Sequence, residues 1–135
     1  GSASCGDSYV KVGSVAVAGG SSFLPRLVGP AKALELLLTG DFVDAEEALR
    51  LGLVNHVHPD DVLMEKTYEL AGRIAANAPV SLTLIKRTMY QSLNIDLRTH
   101  LDLISSHMSI ARGTDDHVEA IAAFKEKRKA NFKGK

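Results

Sequence analysis

The chain has 135 residues, 45% of them hydrophobic and 24% charged, an ordinary globular composition that excludes disorder of the whole chain and predicts burial of about two thirds of the unfolded surface. Formal charge is zero but unevenly placed, because residues 125–135 hold six Lys and Arg against the single acid Glu126. The remainder is therefore acidic, which opposes the field that nucleic-acid binding requires.

In chain order, Gly1 to Ser8 shows no period, and Gly1-Ser2 is open to being a cloning remnant. Residues 9–17, YVKVGSVAV, alternate as an extended segment interrupted at Gly13, and Gly19-Gly20-Ser21-Ser22 reads as a loop. Gly29 as N-cap and Pro30 as first helical residue then open a helix that Gly40 stops, with Ala33, Leu34, Leu37 and Leu38 as its apolar stripe. Asp44 and Glu47 have the spacing of a capping box for a second short helix closed by Gly52. Leu53, Val54 and Val57 form a brief extended run that Pro59 ends.

A third helix opens at Asp60-Asp61, carries Leu63, Thr67, Leu70, Ala71 and Ile74 at helical spacing, and stops before Pro79. The fourth runs from about Val80 to Leu93, with Leu82, Ile85, Met89 and Leu93 on one face. Asp96 caps a fifth, in which Leu97, Leu101, Ile104, Met108 and Ala111 form the cleanest stripe and Gly113 the stop. Thr114 caps a sixth, whose first turn holds Asp115 and Asp116, as suits a positive helix end. Six helices against two short extended runs predict a mainly α chain with one or two short β-strands.

The segment from Leu24 to Pro59, LPRLVGPAKALELLLTGDFVDAEEALRLGLVNHVHP, and the tail Ala123-Phe124-Lys125-Glu126-Lys127-Arg128 followed by Asn131-Phe132 together resemble the crotonase superfamily, the enoyl-CoA hydratases and isomerases. The resemblance covers roughly Gly13 to the C-terminus and implies the C-terminal helical part of the crotonase (ClpP/crotonase-like) fold, the family's usual chain being about twice as long. On that basis residues 1–24 are the residual end of a β–β–α spiral core and residues 25–135 a helical oligomerisation domain. The family's C-terminal helices pack on the spiral and on neighbouring subunits of a trimer, or of a dimer of trimers, so self-association is expected here.

Crotonase chemistry stabilises an enolate oxygen on a CoA thioester with two backbone N–H groups in a dry site. The resemblance implies that these donors, and the first of two catalytic glutamates, lie upstream of residue 1. The second glutamate normally stands four residues before a glycine that corresponds to Gly13, so its position falls on Tyr9 and that of the preceding proline on Ser8. A phenol ordinarily titrates near pH 10 and is a poor base at neutral pH. Asp7, two residues away, would sit roughly 6.5 Å off along an extended chain. No catalytic residue is therefore assigned. Members of the family with other residues at this position run isomerase, thioesterase or decarboxylase chemistry, or none.

For substrate, the resemblance carries the CoA contacts to Phe124 and Lys127. A phenyl ring can stack on adenine or pantetheine, and an ammonium can pair with phosphate. Gly19 and Gly20 occupy the loop that the family uses near the thioester, although two glycines more often mark a plain turn. Met108 falls where the family has an aromatic and could pack on an acyl chain, while its place on the fifth helix's stripe reads as core. No prosthetic group is expected, CoA entering as part of an acyl-CoA substrate. The basic tail by itself reads as a solvated helix end.

His56 with His58, and His100 with His107, share faces, but no cysteine or carboxylate cluster completes a metal site. One cysteine, Cys5, cannot form an intrachain disulfide and suits a reducing cytoplasm. No run reaches the ~18 apolar residues of a membrane span, and no signal peptide is apparent. Two functions follow as expectations: a portion of an enoyl-CoA hydratase/isomerase family enzyme, inactive alone and active in fatty acid metabolism when whole, or a non-catalytic helical oligomerisation or docking module.

Overall fold

The computed structural model describes residues 2–17 and 19–135; Gly1, half of the Gly1-Ser2 pair noted above, lies outside them. Among the described residues are seven α-helices, one 3-10 turn and two short strands. The chain divides into two compact units, Gly1–Thr67 and Tyr68–Lys135.

In the first unit, strand β1 (Ser4–Cys5) pairs antiparallel with β2 (Val43–Asp44), Ser4 opposite Asp44 and Cys5 opposite Val43. Helix α1 (Gly20–Val28) packs on α2 (Pro30–Thr39), and α3 (Ala45–Arg50) packs on the two-stranded ribbon. The limits of α2 follow from its sequence. Gly29 turns the chain at φ 80° and ψ 158°, Pro30 takes the first helical position, and Gly40 closes at φ 64° with its N–H on the Leu36 carbonyl at 2.9 Å. Asp44 caps α3 by accepting from the Glu47 N–H at 2.8 Å. The capping box is only half made, because Glu47 turns to the Arg50 guanidinium at 2.6 Å instead of reaching back. That pair holds the Glu47 carboxyl below its ordinary range.

Four expectations fail in this unit. Tyr9–Val12 forms a 3-10 turn, not a strand, and Gly13, at φ 70°, closes it with its N–H on the Val10 carbonyl at 3.1 Å. Alternation alone makes no strand when no neighbour offers a ladder. The Gly19 to Ser22 loop is instead the start of α1, with Gly19 as left-handed N-cap and Pro25 inside the helix. Leu53 and Val54 form no strand, because both N–H groups return to the Ala48 carbonyl as part of the exit from α3. Finally, α2 buries Ala33 and Leu36 while Leu34 and Leu38 stay exposed.

Helix α4 (Leu63–Ala75) crosses the division between the units. In the second unit, α5 (Pro79–Ser92) packs on α6 (Leu97–Arg112), and α6 meets α7 (Asp115–Glu126). Asp96 caps α6 by accepting from the N–H groups of Arg98 and Thr99 at 3.0 and 3.1 Å, which with the Thr99 hydroxyl holds its carboxyl below the ordinary range. Thr114 caps α7 through the His117 N–H at 3.1 Å.

The buried apolar core consists of Ala33, Leu36, Ala48 and Ala123 among the described residues, three of the four being alanines. Accessible surface is 9854 Å² at 14.5 kDa, whereas a folded monomer of this mass exposes about 6,900 Å². Large side chains such as Leu38, Ile85 and Leu97 stand in solvent, the condition of a surface that has a partner elsewhere.

Candidate functional site

The end of α7 gathers the two residues to which CoA contact is assigned. Phe124 leaves the last turn with 85% of its surface exposed. Lys127, three residues on, is the helix C-cap and adopts φ 53°, ψ 38°, the one positive φ outside glycine among the described residues. An L-residue in this left-handed region places its Cβ close to the following carbonyl, which is why glycine usually occupies it. Phe124 and Lys127 thus stand three residues apart at the end of the helix.

Beyond Lys127 the chain reverses. Arg128 donates its N–H to the Ala123 carbonyl at 3.0 Å, while its guanidinium grips Glu119 with both terminal nitrogens, at 2.5 and 2.9 Å, and Glu126 through Nε at 2.5 Å. Glu119 also accepts from the Asn131 backbone N–H at 2.8 Å. Asp116, 2% exposed, accepts from the N–H groups of Lys133 and Gly134 at 2.6 and 2.8 Å, and its own N–H meets the Lys135 carbonyl at 3.1 Å. Later tail residues meet earlier helix residues, so the tail runs back antiparallel along α7. Arg128, then the Asn131 N–H, drives the Glu119 carboxyl down to about 2, and Arg128 is held above the ordinary arginine range by Glu119 and Glu126.

This clasp is what the sequence does not disclose. Asp115 and Asp116 read as acids at a positive helix end, and that account holds for many first turns; the carboxylate of Asp116 instead serves two amides from the far terminus. A basic tail facing acids spaced 116 and 119 is the only sequence signal of it. Because Arg128 takes the acidic partners, Lys125, Lys127 and Lys129 have no ion-pair partner among the described residues.

Met108 lies on α6 beside an apolar cavity of about 520 Å³ between α5 and α6, with Ile85, Met89, Ile104 and His107 also in the lining. It is 44% exposed, so its core reading does not hold. In the same cavity wall the Thr88 hydroxyl meets His107 Nδ1 at 2.5 Å, and the buried His100 Nδ1 has no partner.

In the other unit, Gly19 sits at φ 86°, where a Cβ would stand 2.7 Å from the Phe23 ring. A Cβ on Gly20 would stand 2.6 Å from a carboxylate oxygen of Asp7 and 3.3 Å from the Ala16 Cβ. The backbone conformation at Gly19 thus favours glycine before any ligand is invoked, whereas at Gly20 the Asp7 side chain would have to move aside. Asp7, set aside on the spacing of an extended chain, is folded against the start of α1 because the segment is not extended. Tyr9 is in the 3-10 turn and 41% exposed, not a half-buried strand residue. The His56 and His58 rings stack with centroids 5.9 Å apart. Among the described residues no helix is long and apolar enough to cross a membrane.

The sequence model of the family described as enoyl-CoA hydratase/isomerase matches residues 1–135. A crotonyl-CoA hydratase of Syntrophomonas wolfei is 38% identical over 114 residues, which cover 84% of this chain and 44% of that protein. A short-chain-enoyl-CoA hydratase of Clostridium acetobutylicum is 40% identical over 111 residues, covering 82% of this chain and 42% of that protein. Among solved structures, an enoyl-CoA hydratase from Bacillus anthracis superposes with a TM-score of 0.93 at 38% identity, covering 98% of this chain and 52% of the other. The chain therefore spans about half the length of these relatives. It belongs to the enoyl-CoA hydratase/isomerase family of the crotonase superfamily and has the mainly helical part of that fold.

Proposed function

We propose that this chain is the CoA-contacting C-terminal portion of an enzyme acting on acyl-CoA thioesters, with Phe124 and Lys127 as its contacts, and that it is inactive alone. The observation that carries this reading is the end of α7, where a phenyl ring 85% exposed stands three residues from an unpaired lysine. An exposed ring with an ammonium beside it suits a ligand with a flat base and phosphates. The activities of the relatives, hydration of crotonyl-CoA and of short-chain enoyl-CoA, support the thioester class.

The inactivity follows from chemistry. An enolate needs preorganised N–H donors where its charge develops, and the family resemblance puts these in a segment outside the present sequence. At the second glutamate position Tyr9 offers no carboxylate. In the whole protein Gly19 and Gly20 would approach the thioester and Met108 the acyl chain. Calorimetric titration with CoA tests the contact: heat of binding is expected, weakened about tenfold by Lys127→Ala. No heat at millimolar CoA overturns the contact, and robust hydration of a short enoyl-CoA by the isolated chain overturns the inactivity.

A second reading, a helical oligomerisation or docking module, is favoured by the excess surface. The 9854 Å² exposed exceeds the compact-monomer value by about 3,000 Å², an area in the range of obligate interfaces. A homotrimer fits it. A clean monomer in size-exclusion chromatography with light scattering would count against it.

A further inference from the structure

The strained residue at the end of α7 and the polar ties behind it have one physical explanation. A lysine gains nothing intrinsic from φ 53°, and residues held in such regions persist only where the surroundings over-determine them. Here the surroundings are visible. Ahead of Lys127, its N–H reaches back to the Phe124 carbonyl at 3.3 Å. Behind it, Arg128 is bound twice by Glu119, and the amides of residues 131, 133 and 134 are bound by Glu119 and Asp116. The Arg128 N–H on the Ala123 carbonyl at 3.0 Å makes the common left-handed closure of a helix end, and the ties to Glu119 and Asp116 hold the segment beyond that closure along α7.

We propose that Asp116 and Glu119 are positioning residues for the CoA contact at Lys127, clasping the 128–135 tail along α7 so that a lysine is kept at the corner of the reversal. The proposal rests on the reading that Lys127 meets CoA. Neither carboxylate touches the ligand. Glu119, together with Glu126, also holds Arg128 as an internal partner, which leaves the ammonium of Lys127 uncompensated and free for a phosphate. Asp116 is suited to this work by its burial, since a carboxylate 2% exposed with two amide donors is a fixed anchor with no competing water.

A double-mutant cycle read by calorimetry with CoA tests it. Asp116→Asn in the otherwise unaltered chain is expected to weaken CoA binding about tenfold, and in the Lys127→Ala background less than about twofold, because the clasp acts through that lysine. Glu119→Gln, at a less buried position, repeats the cycle should the Asp116 variant fail to fold, and circular dichroism reports folding for each. Equal weakening in both backgrounds would show a general structural role and overturn the proposal, as would unchanged affinity in a folded Glu119→Gln variant. If the unaltered chain binds no CoA, the underlying contact falls and the positioning role with it.

Discussion

Of the helix ends that adopt the left-handed conformation, two do so for opposite reasons. Gly19 precedes α1 at φ 86°, and Lys127 follows α7 at φ 53°. At Gly19 the residue type is dictated by space, because a Cβ would collide with Phe23. At Lys127 the residue type resists the conformation, and the tail beyond it is held by amides that donate to Asp116 and Glu119. The first position can be explained by packing alone. The second holds a lysine where glycine would be easier, which suits the ligand contact proposed for it.

The largest effect is expected where packing rules. Gly19→Ala should destabilise the chain by about 2–3 kcal/mol, combining the left-handed strain with crowding against Phe23; urea denaturation showing less than about 0.5 kcal/mol would mean that the ring simply moves aside. The clasp should instead respond to acid. The Glu119 carboxyl is depressed from its ordinary 4.5 to about 2, first by Arg128 and then by the Asn131 N–H. A depressed carboxylate contributes stability that is present above the unfolded value and lost as pH falls towards the folded one. The Asn131 amide should therefore lose hydrogen-exchange protection as pH falls from about 4.5 towards about 2. Undiminished protection across that window would show that the ion pair does not hold the tail.

The smallest effect sharpens the contrast most. Lys127→Gly should leave stability unchanged or raise it by up to about 1 kcal/mol, since glycine has no left-handed penalty but loses more chain entropy on folding. It should at the same time weaken CoA binding as Lys127→Ala does. Thermal denaturation and calorimetry on the same sample separate the two; a destabilised Lys127→Gly chain would show that the lysine stem is needed for packing.

Much of the fold was legible because it is written in local chemistry. Pro30, Asp44, Asp96 and Thr114 each start a helix where their side chains or ring predict it, and Gly40 and Gly113 stop one. Period-2 alternation misled at Tyr9 to Val17, where Val10 and Val12, and then Val15 and Val17, alternate with polar or small residues yet find no neighbouring strand. The real strands, Ser4–Cys5 and Val43–Asp44, are two residues each and carry no period at all. Of the candidate site, Phe124 and Lys127 came from resemblance, and their adjacency at one helix end is a matter of spacing. The burial of Asp116 was invisible, because an acid in a first turn already has a sufficient local explanation.

The sequence by itself determined the limits of α2, α3, α6 and α7, the family and the place of the basic tail, since caps, stops and motif order depend on residues within a few positions of one another. Tertiary structure alone decided that α2 buries Leu36 and not Leu34, that Asp7 folds against the start of α1, and that the tail returns to Asp116 and Glu119. Those outcomes turn on contacts between positions far apart in sequence, where burial and charge neutralisation, not local propensity, set the balance.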